Sequence, residues 1–559
     1  MLHLIPAVKS LEIRDGFLCK KAISFYNVGV DPRLVTALTK LPTDPEGVPV
    51  TLSVDPGEGE DYTLTVSENA IAICGSVRGV FYGIQTLRQL FTHGRIPCLH
   101  IQDAPDFAYR GFYHDMTRGR ISKAETLVQL VEEMAYYKLN SLQLYVEHVF
   151  PFKETVNLTD RLGCITPEEL IQVQAACREN FVDFIPSLAT FGHLYELLEQ
   201  PEYKHLAALP DYKAPHNFWD ARMLHHTLNP LLPQSQALVE SLLEQYAPYF
   251  ESEFFNICCD ETFDLANLGS EDPGKVYLDF VQKIIAMVKN RGKKVMMWAD
   301  ILLQHPEVID RLPQDTIFLN WNYKLQPLEE NVAKLAGQKQ ILCPGNSAWY
   351  RFCEDVEIAE GNISQMAHYA KKYGALGVLN TNWGDWGHPA NLEMGMYGLV
   401  LGAEKSWTEA TLADEDFHRH TDHLLYRQEG ATELLTELSR LHKRVRWKDF
   451  VRTCLFRQYG EDYDCPVSDE DIAAVQQALP TLQEKLSGTW EKDAYRRELL
   501  CVAQGLCLMA ELSAKKTGRE VTSLVDPEQW KKAYAANWRR TNKESELQKI
   551  LDIFDWYNT

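Results

Sequence analysis

No stretch of this chain approaches the ~20 consecutive apolar residues of a membrane span, so no spanning helix is expected. The opening residues, Met1 to Gly16, alternate apolar and charged side chains and lack the basic start and apolar run of a secretory signal. None of the 13 cysteines falls in a C-x-x-C pair. An odd, scattered set suits reduced thiols better than a disulfide framework, which makes the cytoplasm the expected compartment. Positive charge is also short: with 56 Lys and Arg against 78 Asp and Glu, the net charge is −22. That balance repels nucleic acid and anionic membranes, and a neutral small-molecule substrate is the expected partner. Low-complexity tracts and repeats longer than a strand-helix unit are missing too.

At 559 residues the chain exceeds one ordinary core, and its patterning divides it in three. Residues 1–105 read as a small N-terminal α+β domain. Val50–Val54 and Tyr62–Val66 alternate like strands, Ala70–Cys74 adds another, and Arg78–Phe91 has helical spacing in Val80, Ile84, Leu87 and Phe91. Asp103-Ala104-Pro105-Asp106 then breaks both patterns. Over 106–405, short apolar strands alternate with longer amphipathic helices. The strands expected are Arg110–Met116, Ser141–Val146, Asp183–Leu188, Phe254–Cys258, Lys294–Trp298, Ile317–Trp321, Gln340–Cys343 and Gly377–Asn380. Helical spacing recurs in Lys123–Lys138, Pro167–Glu179, Gln234–Tyr249, Pro273–Arg291 and Ile363–Tyr373. Eight such repeats in about 300 residues argue for an α/β fold, the (β/α)8 TIM barrel, with catalytic groups at the C-terminal strand ends. Over 406–559 the strand signal stops. Leu434–Val445, Glu470–Leu486, Tyr495–Ala514 and Asp526–Phe554 read as a C-terminal helical domain that packs on the barrel or on a second subunit, as in a homodimer. Its basic segment around Lys531, Lys532, Arg539 and Arg540 reads as a solvated helix face in preference to an anion site.

The stretch from Phe254 to Leu265 organises the rest. An apolar strand runs into Asp260 and Glu261, and two neighbouring acids can serve one pocket only if the strand ends there and the backbone turns. The bland alternative is a helix cap beside a surface ion pair. Other polar and aromatic residues weigh against it by falling at successive strand ends: His114 and Asp115, Glu147 and His148, His193, Trp298 and Asp300, Trp321 and Tyr323, Trp349, then Trp383, Asp385 and Trp386. Each tryptophan alone would be core; together, rings around clustered acids suit a sugar's apolar face. Paired carboxylates there suggest glycosidic cleavage, one acid protonating the leaving oxygen. If both lie on one side, the second is badly placed to attack, and a 2-acetamido oxygen of the substrate is then one alternative nucleophile. Cys258 and Cys259 offer thiols beside the acids, but packing is the favoured reading.

Cys259-Asp260-Glu261-Thr262-Phe263-Asp264-Leu265 resembles the Asp-Glu motif of glycoside hydrolase family 20, the β-N-acetylhexosaminidases. Tyr109 to Asp115 resembles that family's first barrel strand, Met134 to Asn140 its first helix and entry to strand two, and Gly79 to Leu87 the end of its preceding small domain. The resemblance spans about residues 60 to 390 and implies an exo-acting, retaining enzyme without metal or organic cofactor, removing terminal N-acetylglucosamine or N-acetylgalactosamine. It implies Glu261 as general acid and base and Asp260 as the acetamido orienter. It further implies Arg110 and Asp385 on sugar hydroxyls, His193 organising the acid, and Trp298, Trp321 and Trp383 as aromatic walls. Tyr145-Val146-Glu147-His148 departs from the family's His-x-x-Asp-Asp run, leaving Glu147 or His148 to take that acid's place. Ala348-Trp349-Tyr350 puts a tryptophan where a tyrosine is usual, with Tyr323 able to reach the same spot. The rivals are another acetamido-assisted glycosidase and a catalytically silent carbohydrate-binding barrel.

Overall fold

In the computed structural model, which describes residues 2–26, 29–211, 222, 226–408, 412–458 and 467–558, eight parallel strands close into a barrel. The barrel strands are β7 (Tyr109–Asp115), β8 (Ser141–Val146), β9 (Asp183–Leu188), β10 (Phe254–Asn256), β11 (Lys294–Trp298), β12 (Ile317–Trp321), β13 (Gln340–Cys343) and β14 (Gly377–Asn382). They succeed one another around the ring in chain order, with β14 pairing β7 to close it. Burial on both faces makes parallel strands near-continuous apolar runs, which is why all eight are readable in the sequence. The intervening helices start where capping chemistry dictates. Thr166 and Glu169 form a reciprocal capping box with Pro167 in the first turn, and Asp272 caps a helix that opens on Pro273.

Residues before the barrel supply β1 (Ser10–Leu18), β2 (Ile23–Ser24), β3 (Val48–Val54), β4 (Tyr62–Val66), β5 (Ile71–Gly75) and β6 (Ile96–Asp103). These build a six-stranded sheet in the order β1-β6-β4-β5-β3-β2. One face packs on the helix Val77–Leu90 in a core of its own. Sequence patterning misses β1, β2 and β6. β1 is an edge strand whose side chains are mostly exposed, so no apolar stripe marks it.

The C-terminal region is helical, and it shares one continuous core with the barrel. The expected helix over Asp526–Phe554 is two helices, Pro527–Thr541 and Leu547–Asn558. The basic residues near the break are mostly paired: Lys531 with Glu528 and Asp555, Arg539 with Glu544, and Arg540 with Glu393 and Glu498. Among the described residues no helix is long and apolar enough to cross a membrane.

Candidate active site

The strand β10 is only three residues long, and the turn at its end decides the site. Cys258, Cys259 and Glu261 all take left-handed backbone angles, with φ of 57°, 66° and 47°. Non-glycine residues there carry strain of about 1–3 kcal/mol each and persist only where their surroundings hold them. Here the backbone is held by four hydrogen bonds. Cys258 N–H donates to the Asn256 side chain, Trp298 N–H to Cys258 O, the Tyr277 hydroxyl to Cys259 O at 2.8 Å, and Glu261 N–H to Asp300 Oδ2 at 3.0 Å. Gly192 leaves room for the turn, since a Cβ there would stand 2.3 Å from Asp260 O. The result is that two sequence neighbours face one cavity.

That cavity, about 200 Å³, is lined by Arg118, Asp260, Glu261, Trp298, Trp321, Tyr323, Trp349, Tyr350, Trp383 and Asp385. Trp298 and Trp383 meet with ring centroids 5.8 Å apart over Tyr113. Trp321 stacks on Tyr323 at 5.0 Å, and Tyr323 leans on Trp349. The Trp383 indole N–H donates to the Tyr323 hydroxyl at 2.8 Å, which joins the two groups of rings.

Beneath the acids lies His193. Its Nε2 stands 3.3 Å from Asp260 Oδ2 and 3.3 Å from Glu261 Oε2, aligned for a full hydrogen bond with neither. Burial pulls this imidazole toward neutrality, but the Asp260 and Glu261 carboxylates outweigh it and raise the ring to about 10. The ring stacks on His226 at 4.3 Å, and His226 Nδ1 accepts the His193 backbone N–H. Asp300 sits on the other side. Burial, then the charges of Asp260 and Glu261, raise its carboxyl to about 7. Glu261 is the accessible member, its side chain 26% exposed against 10% for Asp260. Asp260 Oδ1 is buried and has no hydrogen-bond partner among the described residues.

A glycosyl hydrolase family 20 catalytic-domain model matches residues 107–427, and that family's domain 2 matches residues 33–104. The chain belongs to glycosyl hydrolase family 20. It is similar to a beta-hexosaminidase of Porphyromonas gingivalis, 23% identical over 46% of this chain and 38% of that one. A beta-hexosaminidase of Emericella nidulans is 26% identical over 50% of this chain and 51% of its own. The chain thus spans about half or less of those relatives' length. In fold it matches an exo β-N-acetylglucosaminidase from Vibrio harveyi solved with N-acetylglucosamine, with a TM-score of 0.58, 20% identity and coverage of 75% and 76%.

Within this family 20 barrel, not every residue expected on the substrate reaches the cavity. Arg110 does not: it is the second residue of β7, about 16 Å down the strand from Asp115 at the usual strand rise. There it is fully buried, donating to Glu60, Phe107 O, Lys138 O and the Tyr82 hydroxyl, and it ties the barrel floor to a loop and the helix of the N-terminal region. The arginine at the cavity is Arg118, three residues past the strand end. Its guanidinium lies 3.3 Å from Asp115, 3.2 Å from Asp385 and 3.9 Å from Glu147, and over the rings of Tyr145 and Trp383. Barrel geometry alone would have preferred it, since functional groups gather at C-terminal strand ends.

Glu147 and His148 also stay behind the lining. Glu147 is drawn to Arg118 and accepts the Tyr145 hydroxyl at 2.8 Å, while His148 is buried and pushed down to about 4 by that burial. His193 contacts the acids from below and is not itself part of the wall. Tyr350, unassigned from sequence, lines the cavity beside Trp349, and its backbone N–H donates to Asp385 O at 3.4 Å. Cys258 and Cys259 are buried, and burial raises both thiols well above their ordinary value, which fits packing side chains.

Proposed function

We propose that this chain is an exo-acting, retaining β-N-acetylhexosaminidase that removes terminal N-acetylglucosamine or N-acetylgalactosamine with the substrate's own acetamido oxygen as nucleophile. The observation that carries this is the orphaned Asp260 Oδ1 beside the accessible Glu261. A buried acceptor left unpaired costs about 1–3 kcal/mol, and an acetamido N–H is a donor of the right size and sign to relieve it. An acetamide so held turns its oxygen toward the anomeric carbon. Glu261 then protonates the leaving oxygen and later activates water, and Asp260 stabilises the positive charge that develops on the oxazolinium ring.

The other carboxylate on the cavity, Asp385, is a poor alternative nucleophile because its Oδ1 lies 3.2 Å from the Arg118 guanidinium, whose charge lowers its basicity. In this reading Arg118 and Asp385 hold outer sugar hydroxyls, and the indoles of Trp298, Trp321 and Trp383 pack on the ring and the acetyl methyl. A cavity of about 200 Å³ is below the roughly 300–1,000 Å³ of drug-sized pockets, which supports one terminal sugar over an internal stretch of chain. The described cysteines are all free thiols, which supports a reducing cytoplasmic setting. The test is release of nitrophenol from nitrophenyl N-acetyl-β-glucosaminide beside the matching β-glucoside, which lacks the acetamide. The reading expects turnover of the first alone; comparable rates on both would overturn it.

A further inference from the structure

The family match ends at residue 427, yet the loop that carries the cavity arginine is bonded by residues from the far end of the chain. Between the last two helices, residues 541–546 lie along the loop after β7. Lys123 N–H donates to Thr541 O and Lys543 N–H to Ile121 O, each at 2.9 Å, and Glu546 N–H donates to Gly119 O at 3.1 Å. Ile121 N–H donates to the Ser545 hydroxyl at 3.2 Å, and Ser122 and Asn542 form an isolated antiparallel bridge. The loop thus gains a short strand partner from more than 400 positions away. The same region reaches Arg120, whose guanidinium lies 3.7 Å over the Trp538 ring and donates to the Tyr534 hydroxyl.

Glu546 fixes this turn from within. Its side chain is nearly fully buried, with Oε1 2.7 Å from Arg222 and 2.9 Å from Lys549. Burial opposes its charge, but Arg222 and then Lys549 hold the carboxyl down at about 2. Helical periodicity runs straight through this stretch of sequence, so the interruption answers to the barrel loop and not to local propensity.

We propose that the turn at residues 542–546, anchored by Glu546, is a positioning element of the catalytic pocket: it sets the loop that presents Arg118. The inference rests on the reading of Arg118 as a substrate-holding group. A displacement of about 1 Å at such a group costs on the order of 10²-fold in rate. The test is a double-mutant cycle of Glu546→Gln with Arg118→Lys, read as kcat/KM of the folded protein, with Ser545→Ala as a second variant that leaves every charge in place. Positioning through Arg118 predicts that Glu546→Gln lowers kcat/KM roughly tenfold or more in the wild-type background and much less in the Arg118→Lys background. Ser545→Ala should show the same non-additivity at smaller amplitude. Hydrogen exchange of amides 117–122 reads the loop without any turnover and should speed up in both variants. Unchanged exchange, or an equal kcat/KM penalty in both backgrounds, would overturn the proposal. An inactive wild-type enzyme whose loop exchange still responds would instead count against the hexosaminidase reading alone.

Discussion

Replacing Arg118 by lysine, beside the matched change at Arg110, separates the cavity arginine from the structural one. Arg118 faces three carboxylates, Asp115, Asp385 and Glu147, at 3.3, 3.2 and 3.9 Å. A lysine keeps the charge but replaces a five-donor fork with one nitrogen, so it satisfies one of the three and releases the others. A hydrogen bond from a charged donor is worth about 1.5–3 kcal/mol, and at ~1.4 kcal/mol per decade the loss of one to the sugar predicts a fall of about 10- to 150-fold in kcat/KM. Arg110→Lys removes contacts to Glu60, Phe107 O, Lys138 O and the Tyr82 hydroxyl on the barrel floor. Breaking a buried pair outright costs about 3–5 kcal/mol, and lysine retains part of it, so that variant melts earlier. Its folded fraction should turn over normally. Initial rates on nitrophenyl N-acetyl-β-glucosaminide, with thermal melts of each variant, measure both. The reverse pattern, with Arg110→Lys inactive at full stability and Arg118→Lys unaffected, would refute the placement of the substrate at this end of the barrel.

The carboxyl cluster yields two further outcomes. Glu261→Gln keeps the shape but cannot donate a proton, so it should lose about 10²- to 10⁴-fold on a natural sugar leaving group and less on an activated aryl one; equal, near-wild-type rates on both would remove Glu261 from the mechanism. Asp300 is raised to about 7 in the fold, so relative to an unfolded value of ~3.9 it contributes stability at low pH that is lost as pH rises through its folded value. Asp300→Asn keeps an acceptor for the Glu261 N–H and never ionises. Its melting temperature should match wild type near pH 4 and exceed it by pH 8, because only the wild type acquires a third buried negative charge over that range; parallel melting curves would show that Asp300 does not titrate there.

The barrel is legible in the sequence because its strands are buried on both faces and read as apolar runs, and because cavity rings recur at their ends. The Asp260-Glu261 pair is legible for the same reason, down to the need for the strand to stop. How it stops is not. Left-handed angles usually advertise themselves through glycine, and here Cys258, Cys259 and Glu261 adopt them under a local bond to Asn256 and tertiary bonds from Tyr277 and Asp300. Arg110 is misplaced by its motif because a motif does not say which end of the strand a side chain occupies. Residues 542–546 read through as helix because the partner that interrupts them, the loop at 119–123, is remote in sequence. Exposed edge strands such as β1 carry too little apolar patterning to be seen at all.

The central claim is that the acetamido oxygen attacks, held by Asp260. Progressive fluorination of the substrate's acetyl methyl tests it most directly, since each fluorine withdraws electrons from that oxygen and leaves the rest of the sugar in place. The account predicts a steep fall in kcat/KM from acetyl through mono-, di- and trifluoroacetyl substrates, with Asp260→Ala lowering the whole series. A flat dependence on fluorine count, with bond cleavage shown to be rate-limiting, would contradict it and require an enzyme carboxylate as nucleophile.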